Sequence, residues 1–591
     1  MKKWCVLLAL VLVLGAALPV SGASAEESAY EQTLFDRSKL IEIDIRMSEE
    51  AWNAMIKNAS SEEYNACDLT VNGELYENVA IRPKGNSSLS SVTSRGSERY
   101  SWRIKFDKYE KKRTCDGLDI LILNNGFKDP GQLREALAYD MYDFLDADAS
   151  LYNFAVVSVN GKYFGTYLAL EGVDKSFAKR NYGKDYGELY KPDITNKKDQ
   201  NIINNNPGAE DKDGEDGSFG GSAGSRGEAA ADGENNAPAA PVQEGQTQEG
   251  NDSANPAGEP GKQPDSNADD NGGNTDRQAP TDEKAATEGE NPDGQEGDGG
   301  SFGGSAGRQA PADSGNTDRQ DGDGRSFGGS SGARSDAELA MALNYVGDDL
   351  ETYQDIWDAT KFKSEDEDHA RVVEALKHVC QGDRIADYLD VDNVLKYFAI
   401  QTFIYNHDGL TGNVTHNYYL YEENGKLNLI PWDMNEAFTV SGNGSDYVNF
   451  PIDTPFTVSD LSERSFFMAL LADEECLAKY HEYLRRLSEE YALGSGLEAT
   501  LEQIRGRIDT LVETDPTAFS SYEEYVSAAN SLKTAIQLRA QSVLGQLSGE
   551  IPSTRDGQTA EPEKLLDTSG ADFSGLTGGA GMGIEFQRPG R

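Results

Sequence analysis

The chain has 591 residues, with 54 lysines and arginines against 102 aspartates and glutamates, which gives a formal net charge of −48 at pH 7. Such an acidic chain excludes nucleic acid as the expected partner, because a nucleic-acid binder neutralises phosphates with a basic face. Hydrophobic residues make up only 37% of the sequence, which indicates that part of the chain builds no core.

The first 25 residues have the pattern of a secretory signal peptide. Lys2 and Lys3 precede an apolar run over residues 4–20, and the small residues 23–25 come before two glutamates. This order predicts export and cleavage after Ala25. No later apolar stretch approaches the roughly 18–20 residues that span a bilayer. We therefore expect a protein without a transmembrane segment after cleavage, secreted or held at the cell or spore surface.

Residues 30–206 are predicted to form a strand-rich N-terminal lobe. Several runs alternate or are rich in β-branched and aromatic residues, and two of them enter an Asn-Gly turn, which is typical of hairpins. One helix is expected where Asp129-Pro130 precedes four apolar residues on one face. The expected strands are residues 41–45, 67–71, 101–106 and 155–159, and the expected helix is residues 131–145.

Residues 207–334 are predicted to be a disordered, acidic, Gly-rich insert. They contain no Leu, Ile, Met, Tyr, Trp or Cys and carry 27 acidic residues against 9 basic ones. Such a composition cannot offset the entropy lost on ordering. Its repeats place Ser218, Ser301 and Ser326 before Phe-Gly-Gly, and we consider these serines candidate sites of autophosphorylation.

Residues 336–549 are predicted to form a mostly helical C-terminal lobe, followed by a disordered tail over residues 550–591. A hairpin with the turn Asn424-Gly425 interrupts the helices. The expected helices are residues 336–346, 367–380, 391–405, 465–490 and 496–512, and the expected hairpin strands are residues 417–421 and 427–431. Since strands precede helices, the expected fold class is α+β.

Four cysteines remain after signal cleavage: Cys67, Cys115, Cys380 and Cys476. They form no CxxC pair and show no His/Cys spacing of a zinc site. We expect structural thiols or one disulfide rather than a metal site.

Residues 406–413, the following hairpin and Trp432-Asp433 have the layout of a phosphoryl-transfer site. In this layout Asp408 orients the attacking hydroxyl or accepts its proton, while Asn413 and Asp433 offer oxygen ligands to magnesium on the nucleotide phosphates. Spacing alone is weak evidence, and Asp408 and Asp433 could also be the two acids of a glycosidase.

Basic residues upstream would suit a nucleotide. Lys84 stands at a Gly/Ser turn whose amide groups could meet phosphate oxygens. Lys105 lies in a predicted strand, as the strand lysine of a kinase does, and Glu135 on the predicted helix could pair with it. Each could be an ordinary surface residue, but together and in this order they favour a nucleotide site, which a glycosidase would leave unused.

Several segments of the chain resemble the CotH family. That family comprises secreted or spore-coat proteins with an atypical, kinase-like fold that phosphorylate serines of partner proteins with ATP. The resemblance covers residues 41–438 outside the insert. The segments are residues 82–88, 129–135, 160–167, 171–175, 416–421 and 430–433.

The resemblance implies an atypical protein-kinase-like fold of two lobes with ATP and Mg²⁺ as cofactors. Asp408 matches the catalytic aspartate, Asp433 matches the metal-binding aspartate after Trp, and Asn413 falls where a second magnesium ligand is expected. Asn435 stands where many relatives have an aspartate, so this position brings no charge.

The resemblance also implies a set of nucleotide-binding residues. Lys105 resembles the lysine that contacts the phosphates, and Glu135 resembles its helix partner. Lys84 belongs to the phosphate turn, and Glu171 begins an interlobe hinge near adenine that acts mainly through backbone groups.

The function predicted from the sequence is that of a secreted protein kinase. It would transfer the γ-phosphate of ATP to serines of surface or spore-coat proteins, with the chain itself as one candidate substrate. The alternative is a noncatalytic secreted surface or spore-coat structural protein that binds nucleotide or partner proteins.

Overall fold

The computed structural model describes residues 28–85, 87–192, 334–412 and 415–577. The predicted signal peptide lies outside the described residues, as does the predicted insert apart from Arg334. Asn413, one of the two predicted metal ligands, also lies outside them.

Within the described ranges, the N-terminal region is a closed barrel of seven strands in the order β1-β2-β3-β4-β5-β7-β6. Neighbouring strands are antiparallel, except that β1 and β6 pair in parallel and close the ring. The strands are β1 (Ile41–Arg46), β2 (Asn65–Val71), β3 (Glu74–Lys84), β4 (Ser101–Lys105), β5 (Ile120–Asn124), β6 (Tyr152–Val159) and β7 (Lys162–Glu171).

The two predicted Asn-Gly turns are confirmed. Asn72 and Gly73 have φ of 49° and 87°, and Asn160 and Gly161 have φ of 52° and 75°. Positive φ at both central residues matches the right-handed twist of the flanking strands, and Asn and Gly adopt it with little strain. These turns therefore fix the registers of the β2–β3 and β6–β7 hairpins.

Side chains alternate across β3, β4 and β5, and this alternation positions the candidate site. Trp102, Ile104 and Leu123 point into the barrel core, whereas Ile120 and Ile122 join a second core shared with the helical region. Residues two apart share a face of a strand, so Lys84 and Asn124 lie on the outer face toward the helices.

Helices accompany the barrel, and one of them, α4, lies between the two regions. The predicted helix 131–145 begins later, at Arg134, because Gln132 has a φ of 50° and the Asp129 carboxylate accepts the Arg134 N–H at 2.7 Å. α4 packs against the 3₁₀ helix Met434–Glu436. These helices are α1 (Ala29–Thr33), α2 (Glu49–Lys57), α3 (Ser87–Ser94), α4 (Arg134–Phe144) and α5 (Lys175–Tyr182).

The C-terminal region is mostly helical and holds a sheet of three strands in the order β10-β9-β8. The strands are β8 (Glu188–Tyr190), β9 (Tyr418–Glu423) and β10 (Lys426–Pro431). The first helices are α6 (Asp336–Met341), α7 (Gln354–Trp357), α8 (Asp366–Cys380), α9 (Ile385–Tyr388), α10 (Val391–Ile404) and α11 (Ser445–Val448). They are followed by α12 (Ser465–Ala472), α13 (Glu474–Arg486), α14 (Gly496–Glu513) and α15 (Tyr522–Ser548). Short 3₁₀ turns are Ala59–Ser61, Leu350–Tyr353, Met434–Glu436, Leu461–Arg464 and Pro562–Lys564.

The predicted long helix over residues 465–490 is broken at Asp473. This residue is extended, with φ −86° and ψ 123°, and its carboxylate accepts the N–H groups of Glu475 at 3.1 Å and Cys476 at 2.9 Å. It therefore caps a new helix instead of continuing the old one. The chain then passes into a π-helical turn, Leu487–Ala492.

The predicted tail is structured up to Thr577. Residues 551–577 contain α16 (Arg555–Ala560) and α17 (Ser574–Thr577), and Phe573 and Leu576 are buried. A Cβ at Gly575 would lie 2.6 Å from the Cα of Ala528, so this segment packs closely on α15. The expectation of disorder is wrong here, because a few widely spaced apolar residues carry contacts that an overall polar composition conceals.

The four cysteines among the described residues are free. Burial raises the pKa of the Cys67 and Cys115 thiols to about 12, which fits inert structural thiols. Among the described residues, no helix combines the length and apolar character needed to cross a membrane.

Candidate functional site

The loop after α10 carries Asp408. α10 ends at Ile404, and the next residue, Tyr405, has a φ of 50° that turns the chain sharply. Gly412 must be glycine, because a Cβ there would overlap the His407 carbonyl oxygen. The buried Arg464 donates to the Gly412 carbonyl. The Asp408 side chain remains 31% exposed, so the loop presents a carboxylate that a substrate can reach.

Two consecutive residues hold the Asp408 carboxylate. Asn417 donates through Nδ2 to Asp408 Oδ2 at 3.0 Å and to its backbone oxygen at 3.1 Å. His416 Nε2 lies 3.3 Å from Asp408 Oδ1. The Asn417 carbonyl oxygen in turn accepts the Trp432 N–H at 3.3 Å, so Asn417 joins the loop of Asp408 to the residue before Asp433.

Asp433 ends the hairpin and begins the 3₁₀ helix Met434–Glu436. Its left-handed conformation, with φ 54° and ψ 69°, turns the chain away from β10. Glu436 forms an ion pair with Lys128 of the barrel region. The side-chain oxygen of Asn435 is buried without a hydrogen-bond partner among the described residues.

Lys84 and Glu135 meet at Asn124, beside Asp433. Asn124 Nδ2 donates to both Glu135 carboxylate oxygens at 2.9 Å, and Lys84 Nζ lies 3.4 Å from Asn124 Oδ1. Burial and, secondly, the charge of Asp433 raise the pKa of Glu135 to about 8, although the hydrogen bond from Asn124 and the charge of Lys84 act in the opposite direction. Lys84 Nζ also lies 5.6 Å from the centre of the Trp432 ring. These contacts bring the end of β3, α4 and the Trp432-Asp433 segment to one place.

The structure gives Lys84 the position beside Glu135 that the sequence analysis assigned to Lys105. Lys84 pairs with Ser101 and Lys105 pairs with Ala80, so the two lysines lie at opposite ends of the β3–β4 ladder. Four residues of strand separate them by roughly 13 Å. Lys105 pairs with Ile120 on β5, at the far end of that strand from Asn124. Lys84, rather than Lys105, therefore lies at the end of the sheet near Glu135, and Asn124 connects the two side chains.

The Glu171 carboxylate has a structural environment. It is fully buried and accepts from Arg180 Nη2 at 2.6 Å, the Tyr30 hydroxyl at 2.6 Å and the Leu151 N–H at 3.2 Å. These donors occupy its oxygens, so any contact of this segment with a nucleotide would come from the backbone, as the sequence analysis expects. The next residue packs closely on the barrel, since a Cβ at Gly172 would lie 2.5 Å from Ile120.

Sequence reasoning missed Asn124 and Asn417. Both are asparagines at the ends of strands, where such residues are ordinary turn formers. Asn417 contacts a residue nine positions earlier and Asn124 contacts one eleven positions later. The position of Asn417, between the predicted catalytic loop and the hairpin, is the one signal that could have identified it.

Comparison with known proteins gives a family and a relative. The model of the family described as CotH kinase protein matches residues 81–224 and 329–543. The Bacillus subtilis (strain 168) protein named inner spore coat protein H is 38% identical over 84 residues, which are 14% of this chain and 22% of that protein. The chain thus aligns with about a fifth of the length of that relative.

Proposed function

The chain belongs to the CotH family, and from this we propose that it is a secreted protein kinase that transfers the γ-phosphate of ATP to serines of surface or spore-coat proteins. The observation that carries the proposal is the meeting of Lys84, Asn124 and Glu135 beside Asp433. A strand lysine, a helix glutamate and an aspartate after a hairpin are the elements with which kinases bind nucleotide phosphates. The kinase-like, two-lobed arrangement is part of the same proposal.

The donor groups present at the site fit magnesium and a polyphosphate. Asp433 offers carboxylate oxygens, and Asn435 offers a buried amide oxygen without a hydrogen-bond partner among the described residues. Oxygen donors of this kind suit a hard divalent cation. Asp433 and Asn435 would therefore hold Mg²⁺, with Asn413 as a further candidate ligand, and Lys84 would face the phosphates.

Bound MgATP would supply the phosphoryl group together with the cation that screens its charge. Asp408 would orient the serine hydroxyl and accept its proton late in the transfer. Lys84 would neutralise negative charge as it develops, and Glu135 and Asn124 would keep its amino group in place.

The proposed location is the spore or cell surface. The relative is named as an inner spore coat protein, and the first residues of this chain have the pattern of a secretory signal. A serine-containing protein of the same surface is the proposed substrate class, with the chain itself as one candidate. The name of the relative also favours a second candidate, a noncatalytic coat protein that binds nucleotide or partner proteins.

The test is phosphate transfer by the purified mature protein. It is incubated with Mg²⁺ and γ-labelled ATP, alone and with a serine-rich acceptor, beside the Asp408→Ala and Asp433→Ala variants. We expect label from the wild type, almost none from either variant, and retained ATP binding in Asp408→Ala. ATP binding without transfer by the wild type would favour the noncatalytic coat protein, and equal transfer by Asp408→Ala would contradict the assigned mechanism.

A further inference from the structure

We propose that Asn417 is a positioning residue that fixes the Asp408 carboxylate relative to Asp433, with His416 as its partner on the second carboxylate oxygen. The inference rests on the proposed kinase function for its kinetic meaning. The contacts themselves are independent of that function, and they can be tested without it.

Both oxygens of the Asp408 carboxylate have a partner. Asn417 Nδ2 lies 3.0 Å from Oδ2, and His416 Nε2 lies 3.3 Å from Oδ1. Contacts at both oxygens restrict rotation about the Cβ–Cγ bond. The free lone pairs of the carboxylate then keep one direction, which is the condition for orienting a hydroxyl group.

The backbone of Asn417 is also bonded to the segment that carries Asp433. The carbonyl oxygen of Asn417 accepts the Trp432 N–H at 3.3 Å, immediately before Asp433 in the chain. Asn417 therefore contacts the loop of Asp408 through its side chain and the Asp433 segment through its backbone. Asn417 is thus a direct link between the two segments that carry the aspartates.

The backbone conformation of Asn417 allows a substitution by glycine. The residue is 8% exposed and has a φ of 61°, the left-handed conformation that Asn and Gly adopt more easily than other residues. Glycine at this position would keep the backbone turn and the bond to Trp432. It would remove the side chain with its Nδ2 donor, so a single substitution separates the role of the side chain from that of the backbone.

A purely structural role of Asn417 would affect stability more than turnover, and a positioning role would do the opposite. The Asp408 side chain is 31% exposed, so water can satisfy its oxygens when the Asn417 amide is absent. Losing Nδ2 would then lower stability by a measurable but modest amount and would free the carboxylate to rotate. A positioning role therefore affects turnover more than folding or nucleotide affinity.

The experiment compares Asn417→Gly with Asn424→Gly. Asn424 also has a left-handed φ, of 54°, but lies exposed in the turn of the same hairpin. We expect Asn417→Gly to lower kcat about 10- to 100-fold, the usual consequence of losing a hydrogen bond to a charged group. KM for ATP should change less than about 2-fold, and Asn424→Gly should match the wild type. His416→Ala is the second variant and should lower kcat in the same way.

Two double-mutant cycles with Asp408→Ala complete the test. In the kinetic cycle, Asn417→Gly should cause no further loss in the Asp408→Ala background, because it acts through that carboxylate. In the urea-unfolding cycle, the midpoint shifts of Asn417→Gly and Asp408→Ala should be non-additive, whether or not the protein is a kinase.

The outcomes separate the two proposals. An active wild type with equal kcat in Asn417→Gly and Asn424→Gly would overturn the positioning role and leave the kinase proposal standing. An inactive wild type would overturn the kinase proposal. The unfolding cycle would then still test whether the side chains of Asn417 and Asp408 interact. Additive midpoint shifts would overturn the inference, and non-additive shifts would support it.

Discussion

Arg99 and Asp515 form a fully buried ion pair that joins the barrel to the segment between α14 and α15. Arg99 Nη1 lies 2.8 Å from Asp515 Oδ2, and both side chains are at most 1% exposed. The same guanidinium donates to the Asn125 carbonyl at 3.0 Å, and its carbon lies 4.8 Å from the centre of the Tyr167 ring. This contact holds the helices that follow the loop of Asp408 against the barrel that carries Lys84.

Breaking this pair should destabilise the protein strongly. We expect Asp515→Ala to lower the free energy of unfolding by about 3–5 kcal/mol, because it leaves the Arg99 charge buried without its partner. Urea unfolding followed by circular dichroism measures this loss. Asp387→Ala removes an exposed partner of Arg384 and should cost at most about 1 kcal/mol. A similar small loss in both variants would show that the buried pair contributes little.

The two strand lysines should differ in their effect on phosphate transfer. We expect Lys84→Met to reduce transfer about 10²- to 10³-fold, the range typical of losing a group that stabilises developing charge, because Lys84 contacts Asn124 beside Glu135. Lys105→Met should reduce it much less, since Lys105 lies at the other end of the β3–β4 ladder. Steady-state assays on the two variants decide this, provided that both retain the wild-type melting temperature. A larger loss in Lys105→Met would restore the assignment made from the sequence.

Sequence patterns predicted the local elements well. The Asn72-Gly73, Asn160-Gly161 and Asn424-Gly425 turns and the helix of residues 391–405 are confirmed to within a few residues, because Asn-Gly pairs and apolar periodicity act over short distances. The closure of the barrel was not predicted. It depends on the parallel pairing of β1 with β6, and no local pattern specifies which distant strands pair.

The candidate site shows the same division between local and distant information. Asp408 and Asp433 could be recognised from their spacing around a hairpin, and the structure connects them through Asn417. The choice between Lys84 and Lys105 could not be made from the sequence. Both lie in predicted strand or turn segments before the helix of Glu135, and only the β3–β4 register shows which one lies at the nearer end of the sheet.

Stability should fall as pH rises through the titration of Asp119. Burial, and secondly the charge of Asp174, raises the pKa of Asp119 from 3.8 to about 6. The folded state therefore binds this proton more tightly than the unfolded state, so the stabilisation is complete below about pH 4 and is lost by about pH 6. We expect Asp119→Asn to flatten this part of the pH dependence, by an amount on the order of 2 kcal/mol.

Urea unfolding at intervals between pH 4 and pH 7 measures the Asp119 effect as the difference between variant and wild type. Ser176 donates a hydrogen bond to the Asp119 carboxylate, which lowers the pKa of Asp119. Ser176→Ala should therefore steepen the pH dependence, in the opposite direction to Asp119→Asn. Parallel curves for wild type and Asp119→Asn would show that Asp119 keeps an ordinary pKa.

The segment around α17 should stabilise the whole fold. Phe573 and Leu576 are both 4% exposed, and the Leu576 carbonyl accepts from Arg134 Nη2 at 2.8 Å, at the start of the helix that carries Glu135. The free energy of unfolding of a chain that ends at residue 571 should be about 3–6 kcal/mol lower than that of a chain that ends at residue 577, because the shorter chain lacks these two buried side chains. Urea unfolding of the two truncated chains measures the difference, and the chain ending at 577 is the matched control.

Phosphate transfer should fall in the shorter chain as well, because Arg134 and Glu135 share the first turn of α4. Equal stability of the two chains would contradict a structural role for this segment.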